Sequence, residues 1–473
     1  MLIGRKTERH ELLNAYKSHY SEFVVVTGRR RIGKTFLVRE TFDYQFAFQH
    51  SGLANQNTRS QLREFRQSLL KCGMKKCRVP VDWFDAFFLL SELLDQQNSK
   101  KKVVFIDELP WMDAPRSNFV SALEHFWNGY ASSRKDILLI ICGSATSWMI
   151  NNVFRNHGGL HNRVTYRIHL APFTLHECEQ YAKSLQLDIN RHAILECYMV
   201  MGGVPFYWSL LERGKSIAQN IDSLFFSPMG KLHYEYAELY HSLFKNPEPY
   251  VKVVSTLGIK RMGMTREEII SEGNVINNGL LTRVLEDLEA CGFVRKYDYK
   301  GIKRSNTIFQ LIDNYTLFYY KFLYNKSRID ENFWTLNVNT PVRNTWEGLA
   351  FERICFAHIR QIKQALGISG VSTQIYSWRI KDDPVYGKGA QVDMVIERAD
   401  QIVNLCEMKF SSAEYAISKS DDENWRNKCM RFGETLKGRK AIHVTLITPY
   451  GIKENMYQYS IQNVISSDDL FKE

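Results

Sequence analysis

The sequence predicts an α/β chain: a parallel sheet with helices comes first, then a helical segment, a helix-and-hairpin module and a second α/β module. Three observations predict it. Short apolar runs, Phe23-Val24-Val25-Val26, Val103-Val104-Phe105-Ile106 and Ile137-Leu138-Leu139-Ile140-Ile141, have the length and content of strands buried on both faces, as a parallel sheet requires. Each run is followed by glycine, small polar or acidic residues, the usual composition where such strands present their C-terminal ends. Near the C-terminus an apolar-striped helix precedes two alternating segments that read as a strand hairpin.

At 473 residues the chain exceeds what one hydrophobic core holds, so several domains are expected. The elements divide it at 1–172, 173–235, 236–325 and 326–473. A hydrophobic fraction of 44% supports packed cores, and no repetitive or Pro/Ser/Gly-rich stretch argues for disorder. The apolar runs are too short to span a bilayer and the first residues are too charged for a signal peptide, so no membrane partner and a cytoplasmic location are expected. Nine cysteines without a C-x-x-C pair suggest reduced thiols rather than structural zinc. The formal charge of +11 favours polyanionic partners without selecting one.

The first strand runs into Gly28-Arg29-Arg30-Arg31-Ile32-Gly33-Lys34-Thr35, and Phe36, Leu37, Val38 and Phe42 continue as an amphipathic helix. This is a phosphate-binding loop. The glycines let successive amides point into one cavity, the helix adds its positive N-terminal end, Lys34 supplies a mobile charge, and Thr35 can place a hydroxyl on a magnesium ion. The expected nucleotide contacts are therefore the loop from Gly28 to Thr35 with the adjoining Phe36.

The second strand ends in Asp107-Glu108, where Asp107 is expected to hold the metal and Glu108 to orient and deprotonate the attacking water. The third runs into Gly143-Ser144-Ala145-Thr146; Ser144 is the favoured hydroxyl for sensing the terminal phosphate, with Thr146 second, against the plainer reading of a helix cap. Arg163, just before the strand-like segment 164–170, is a candidate arginine finger, with Arg155 and Arg167 as competitors.

These motifs, with Ile3-Gly4-Arg5-Lys6-Thr7-Glu8 at the start, Leu170-Ala171-Pro172-Phe173 and Gly202-Gly203-Val204-Pro205, resemble the prokaryotic AAA-like ATPases of the STAND-related, archaeal-type group over roughly residues 1–230. The resemblance implies ATP and Mg2+ as cofactors, Ile3 and Arg5 near the adenine, and a helical lid bringing Gly203 and Pro205 to the nucleotide. It also supports Ser144 as a sensor and Arg163 as a finger acting within the chain or on a neighbour, which makes a homo-oligomer a possible state. The three arginines inside the loop are unusual and would either strengthen phosphate attraction or reach an outside polyanion.

In the middle, apolar residues at helical spacing from about 175 to 211 read as the lid. Thr265 and Glu268 form a capping box, 280–288 is an amphipathic helix, and 293–311 is a hairpin-like tail carrying Arg295, Lys296, Lys300, Lys303 and Arg304. Helix, turn, helix, hairpin is a winged-helix order, and the basic hairpin would track a DNA backbone unless it is a solvated face or an intramolecular hub.

The C-terminal part is read as a helix over 346–364 followed by strands around 390–396 and 403–410 that turn at Arg398-Ala399-Asp400. Asp393 and Glu407 would meet near one end, with Lys409 on the same face as Glu407, which sets two metal-binding carboxylates beside a cation, the equipment of metal-assisted phosphodiester hydrolysis. This stretch resembles the DUF234 domain attached to archaeal-type ATPases, and its Asp393…Glu407-Met408-Lys409 pattern is similar to PD-(D/E)XK nucleases. By that resemblance Glu352 is the third acid, with Glu347 the alternative. The expected whole is thus a P-loop ATPase core, helical lid, winged helix and nuclease-like domain acting on nucleic acid. The other reading is a STAND-like nucleotide-controlled switch whose C-terminal site is inert and binds a protein partner. A metabolic kinase would have no use for the additional domains.

Overall fold

The computed structural model describes residues 2–144, 146–154, 160, 162–244, 246–260, 263–297, 307–326, 330–382, 388–436 and 438–473. The chain divides into two compact units, one of Met1–Pro172 with Ala237–Pro247 and Glu286–Gly292, the other of Phe173–Tyr236, Glu248–Leu285 and Phe293–Glu473. No helix among the described residues is long and apolar enough to cross a membrane.

The first unit is built on five strands, β1 (Glu22–Thr27), β2 (Phe48–Ser51), β3 (Lys102–Asp107), β4 (Ile137–Cys142) and β5 (Tyr166–His169). All pair in parallel, in the order β2-β3-β4-β1-β5. Because side chains alternate along a strand, Phe23 and Val25 enter one core with Phe65, Trp83 and Phe119, whereas Val24 and Val26 enter the other with Leu12, Leu37 and Ile168. Covering both faces explains why the strands read as unbroken apolar runs. The edge strand β2, with Gln49 and His50 in its four residues, has no such run, and the hydrophobic pattern alone does not mark it. The helices α1 (Lys6–Lys17) and α2 (Lys34–Thr41) pack on the second core.

In the second unit, helices Leu175–Ser184 and Arg191–Met201 start at the side-chain caps of Thr174 and Asn190. They lead to Gly202-Gly203, where a Cβ on Gly203 would fall 1.9 Å from the Phe173 carbonyl oxygen. The Phe173 amide donates to the Gly203 carbonyl at 2.7 Å, so two backbones touch here and only glycine fits. Next come helices Glu248–Ile259, Arg266–Gly273 and Gly279–Ala290, with the expected Thr265–Glu268 capping box present. A small antiparallel sheet of β6 (Met264–Thr265), β7 (Val294–Tyr297) and β8 (Ile308–Leu311) has the order β6-β8-β7.

The C-terminal segment carries a mixed sheet of β9 (Thr373–Ile380), β10 (Ala390–Arg398), β11 (Ile402–Met408), β13 (Ala441–Ile447) and β15 (Asn463–Ile465), ordered β15-β13-β11-β10-β9. A separate pair joins β12 (Tyr415–Ala416) to β14 (Ile452–Lys453). β9, β10 and β11 are antiparallel neighbours, while β11, β13 and β15 run parallel. The helix expected over 346–364 is two helices, Pro341–Ala357 and Ile359–Ala365. The break falls at His358, whose Nδ1 lies 2.8 Å from the Ile354 carbonyl oxygen while its Nε2 accepts the Leu175 amide at 2.9 Å. That bond to a distant residue is invisible to helical periodicity.

Candidate nucleotide site and C-terminal carboxylate cavity

β1 delivers the chain into a loop whose geometry depends on two glycines. Gly28 has φ 139°, and a Cβ there would sit 2.5 Å from both the Leu170 carbonyl oxygen and Ile32 Cδ1. Gly33, at φ 89°, is the residue before α2, so the loop hands over to a helix N-terminus. Arg31 holds φ 69°, an uncommon backbone for a residue with a side chain. The three loop arginines are not equivalent: Arg29 is buried, Arg30 and Arg31 are half-buried, and Arg30 Nη1 donates to the Glu238 carbonyl at 3.3 Å.

Lys34 is buried, and its Nζ donates to the carbonyls of Gly28 and Arg29 at 2.9 Å each and to Ser144 Oγ at 3.0 Å. Burial lowers its pKa below the usual lysine value, against the raising pull of Glu108 and Asp107. Ser144 in turn donates to Glu108 Oε1 at 2.7 Å, and its amide to Glu108 Oε2 at 3.2 Å. Lysine, serine and glutamate from the ends of three parallel strands thus form one hydrogen-bonded chain.

Asp107 is buried and fully engaged. Thr35 Oγ1 donates to Oδ2 at 2.7 Å, while Oδ1 receives the Cys142 thiol at 2.5 Å and the Glu108 amide at 2.9 Å. A hydroxyl from the start of α2 and a carboxylate from the end of β3 are the hard oxygen donors that magnesium takes when phosphate and water complete its shell, so these residues fit that ion. Glu108 itself has φ 47° and ψ 46°, a left-handed conformation that aims its side chain back at Ser144. Two glycines make room for the turn: a Cβ on Gly52 would meet the Glu108 carbonyl oxygen at 2.6 Å, and one on Gly143 would meet Pro110 Cδ at 2.6 Å. Neither Gly52 nor Cys142 stands out in the sequence, because both act through partners 35 residues or more away.

The remaining expected nucleotide residues are placed variously. Arg5 is buried at φ 56°, with Nη2 on the Ala171 carbonyl at 2.6 Å and Nη1 3.5 Å from Glu8, so its guanidinium ties the N-terminus to the end of β5. Ile3 is half-buried and the Phe36 ring is 43% exposed. Arg163 is exposed, and Arg167 lies over the Phe154 ring at 4.6 Å. Arg155 and the Thr146 side chain lie outside the described residues. Pro205 opens the short helix Pro205–Trp208 of the second unit.

In the second unit, Glu352 and Asp393 line one cavity with Leu349, Arg353, Phe356 and Ser377 from the C-terminal segment. Arg295, Tyr297 and Gln310 of β7 and β8 close it. Glu407 is buried next to Asp393 in the β10–β11 hairpin; burial pushes its pKa up, and Lys428 Nζ, 2.6 Å from Oε1, pulls the other way. Lys409 lies 3.9 Å from Asp421, and Gln391 Nε2 donates to Asp393 Oδ1 at 2.7 Å. The alternative third acid, Glu347, is paired to the buried Arg343 at 2.6 Å. Among the described residues no three His, Cys, Asp or Glu side chains gather closely enough to hold a metal ion. In this arrangement the C-terminal carboxylates do not fit a metal, since Glu407 is paired with Lys428 and Glu352 with Asp393 borders a cavity with room for about one water. Of the basic hairpin, Arg295 is turned inward, Lys296 is exposed, and Lys300, Lys303 and Arg304 lie outside the described residues.

A phosphate loop leaving an inner strand of a five-stranded parallel sheet, with an Asp-Glu pair on the strand two places away, defines the P-loop ATPase class of fold. Residues 2–211 match the family described as an ATPase domain predominantly from Archaea. Over 409 residues the chain is 22% identical to the uncharacterized protein MJECL04 of Methanocaldococcus jannaschii, covering 84% of each chain. Among solved structures it is similar to the Walker-type ATPase PABY2304 of Pyrococcus abyssi (TM-score 0.49, 14% identity, 68% of this chain and 96% of that one). It is similar also to the ORC2 protein of Aeropyrum pernix (TM-score 0.41, 15% identity, 73% and 95% covered). A third likeness is to the STAND protein PH0952 of Pyrococcus horikoshii (TM-score 0.30, 14% identity, 78% and 52% covered).

Proposed function

We propose that the chain binds and hydrolyses ATP at the loop Gly28 to Thr35 and couples that cycle to a nucleic-acid target handled by the β6–β8 module and the C-terminal sheet. The observation that carries the first part is the hydrogen-bonded chain Lys34, Ser144, Glu108 beside the Thr35–Asp107 pair. Lys34 spends its three protons on two carbonyls and Ser144, all of which a β,γ-phosphate can replace. When Lys34 turns to phosphate, Ser144 loses the proton donor that now orients it and is free to face the terminal phosphate. Glu108 is then released to take a proton from the attacking water. Thr35 and Asp107 would hold magnesium, which supplies charge neutralisation across the phosphates. Arg163, exposed and close in sequence to β5, is the proposed finger.

The test is nucleotide binding measured apart from turnover. Lys34→Ala should abolish ATP binding, whereas Glu108→Gln should bind ATP and lose turnover by about 10²–10⁴-fold, the usual weight of a general base. Equal loss of binding in both would remove Glu108 from the catalytic role.

The nucleic-acid part is supported by the net charge of +11 and by the juxtaposition of Asp393 and Glu407, with Lys409 acting on Glu407. A second reading, a nucleotide-controlled switch with an inert C-terminal site, is favoured by the Glu407–Lys428 ion pair, which occupies one of the expected ligands. Metal-dependent cleavage of labelled DNA that disappears in Asp393→Ala selects the first; nucleotide-dependent change of shape without cleavage selects the second.

A further inference from the structure

We infer that the β7–β8 strand pair is a built-in cover over the Glu352–Asp393 cavity, and that Arg295 is its latch. The inference deepens the C-terminal reading above by naming how that site is regulated. Arg295 and Gln310 are register partners across the strand pair, and Arg295 Nη2 donates to Gln310 Oε1 at 2.6 Å. Tyr297, two residues on, shares their face, whereas Lys296 between them points the other way and is exposed. The inward face meets Leu349, Glu352, Arg353 and Phe356, residues spaced three and four apart and therefore one side of helix Pro341–Ala357. The Arg295 guanidinium lies 3.8 Å above the centroid of the Phe356 ring, a cation–π contact in a desolvated setting.

What remains between the two faces is a half-open cavity of about 20 Å3, room for about one water, in which Ser377 is buried and the other lining residues are half-buried. While the pair is seated, Glu352 and Asp393 are only half-exposed, and a nucleic-acid strand does not fit in the space before them. The seat is also imperfect. Arg295 Nε is buried with no hydrogen-bond partner among the described residues, and burial lowers the pKa of the guanidinium. A buried donor left unmade costs free energy that opening recovers, so the contact is built to release rather than to weld. Lys428 pairs with Glu407, so the neighbouring carboxylate is also held by a cation of the chain. A phosphate backbone that draws Arg295 outward would uncover the site, which couples polyanion binding at the hairpin to exposure of the acids.

The test uses the full chain with Ser377→Cys, a residue that lines the cavity, and follows alkylation of that position by peptide-resolved mass spectrometry. With Arg295 intact the thiol should react slowly. In the Arg295→Ala background it should react about tenfold faster, the shift expected on losing a desolvated guanidinium–ring contact, and Arg295→Lys should restore much of the protection. Gln310→Ala, which keeps the Arg295 charge and removes its Nη2 hydrogen-bond acceptor, serves if Arg295→Ala does not fold, and should also speed labelling. Equal labelling in all backgrounds overturns the cover. The same proteins are then given labelled DNA with Mn2+. Faster labelling without any cleavage leaves the cover standing and removes the nuclease reading; cleavage lost in Asp393→Asn, with labelling unmoved by Arg295→Ala, does the reverse.

Discussion

Ser144 is the residue on which the nucleotide site turns, because it accepts from Lys34 and donates to Glu108 and so lets each sense the other. Alanine there leaves the loop amides and Lys34 in place but frees Glu108 from its only side-chain hydroxyl partner among the described residues. Ser144→Ala should therefore lower kcat by about 10–10²-fold while the dissociation constant for ATP moves only a few-fold, since one preorganised donor is lost and the phosphate cradle is not. Paired measurements of equilibrium nucleotide binding and steady-state turnover check this; a loss confined to binding would make Ser144 a cradle residue instead. Cys142 belongs to the same scale, its thiol meeting the carboxylate that Thr35 also binds. The sequence shows it only as the last residue of an apolar run.

At the scale of elements, backbone packing alone already requires one glycine of a motif. Gly203 was expected in a nucleotide-facing lid, yet its hydrogen-only side touches the Phe173 backbone within the second unit. A methyl 1.9 Å from the Phe173 carbonyl oxygen cannot be absorbed by a rotamer change. Gly203→Ala should cost about 2–4 kcal/mol by overpacking against backbone, read as a lowered urea midpoint. Gly433→Ala is the contrast: its Cβ would meet only Ile442 Cδ1 at 3.7 Å, and it ends helix Lys419–Gly433, so the change should be neutral or stabilising by up to about 1 kcal/mol. Similar losses in both would mean the close approach at Gly203 is not tight. The β7–β8 pair makes the same point, since a hairpin that reads as a basic DNA-tracking wing turns Arg295 and Tyr297 inward.

For the whole molecule, His50 in the first unit and His358 in the second are, among the described residues, buried histidines that acid must charge. His50 sits beside Ser68 Oγ at 2.9 Å in the first unit, and His358 in the second is held as described by Ile354 and Leu175. Burial pulls both down to a pKa of about 4. With an unfolded value near 6.5, the unfolded chain takes up a proton that the folded chain refuses, so stability is full above about pH 6.5 and falls as pH drops toward 4. The shift corresponds to a loss on the order of 3 kcal/mol per histidine. Denaturant midpoints from pH 7 to 4.5 should fall accordingly, and His358→Gln, which cannot charge, should flatten the part of the fall that belongs to the second unit. An unchanged slope in that variant would rule His358 out as the acid-sensitive group.

The sequence by itself determined the strands β1, β3, β4 and β5, the phosphate loop, the Asp107–Glu108 pair, the Thr265 capping box and the β10–β11 hairpin. Those follow from local rules: alternation or continuity of apolar residues, glycine at positive φ, and caps three residues from their partners. Tertiary structure alone decided that β2 is a strand, that His358 breaks a helix, that Cys142 meets Asp107, and that Arg295 lines a cavity with Glu352 and Asp393. Each of these depends on two segments far apart in the chain arriving at one point, where sterics and desolvation act between residues that no short-range pattern connects.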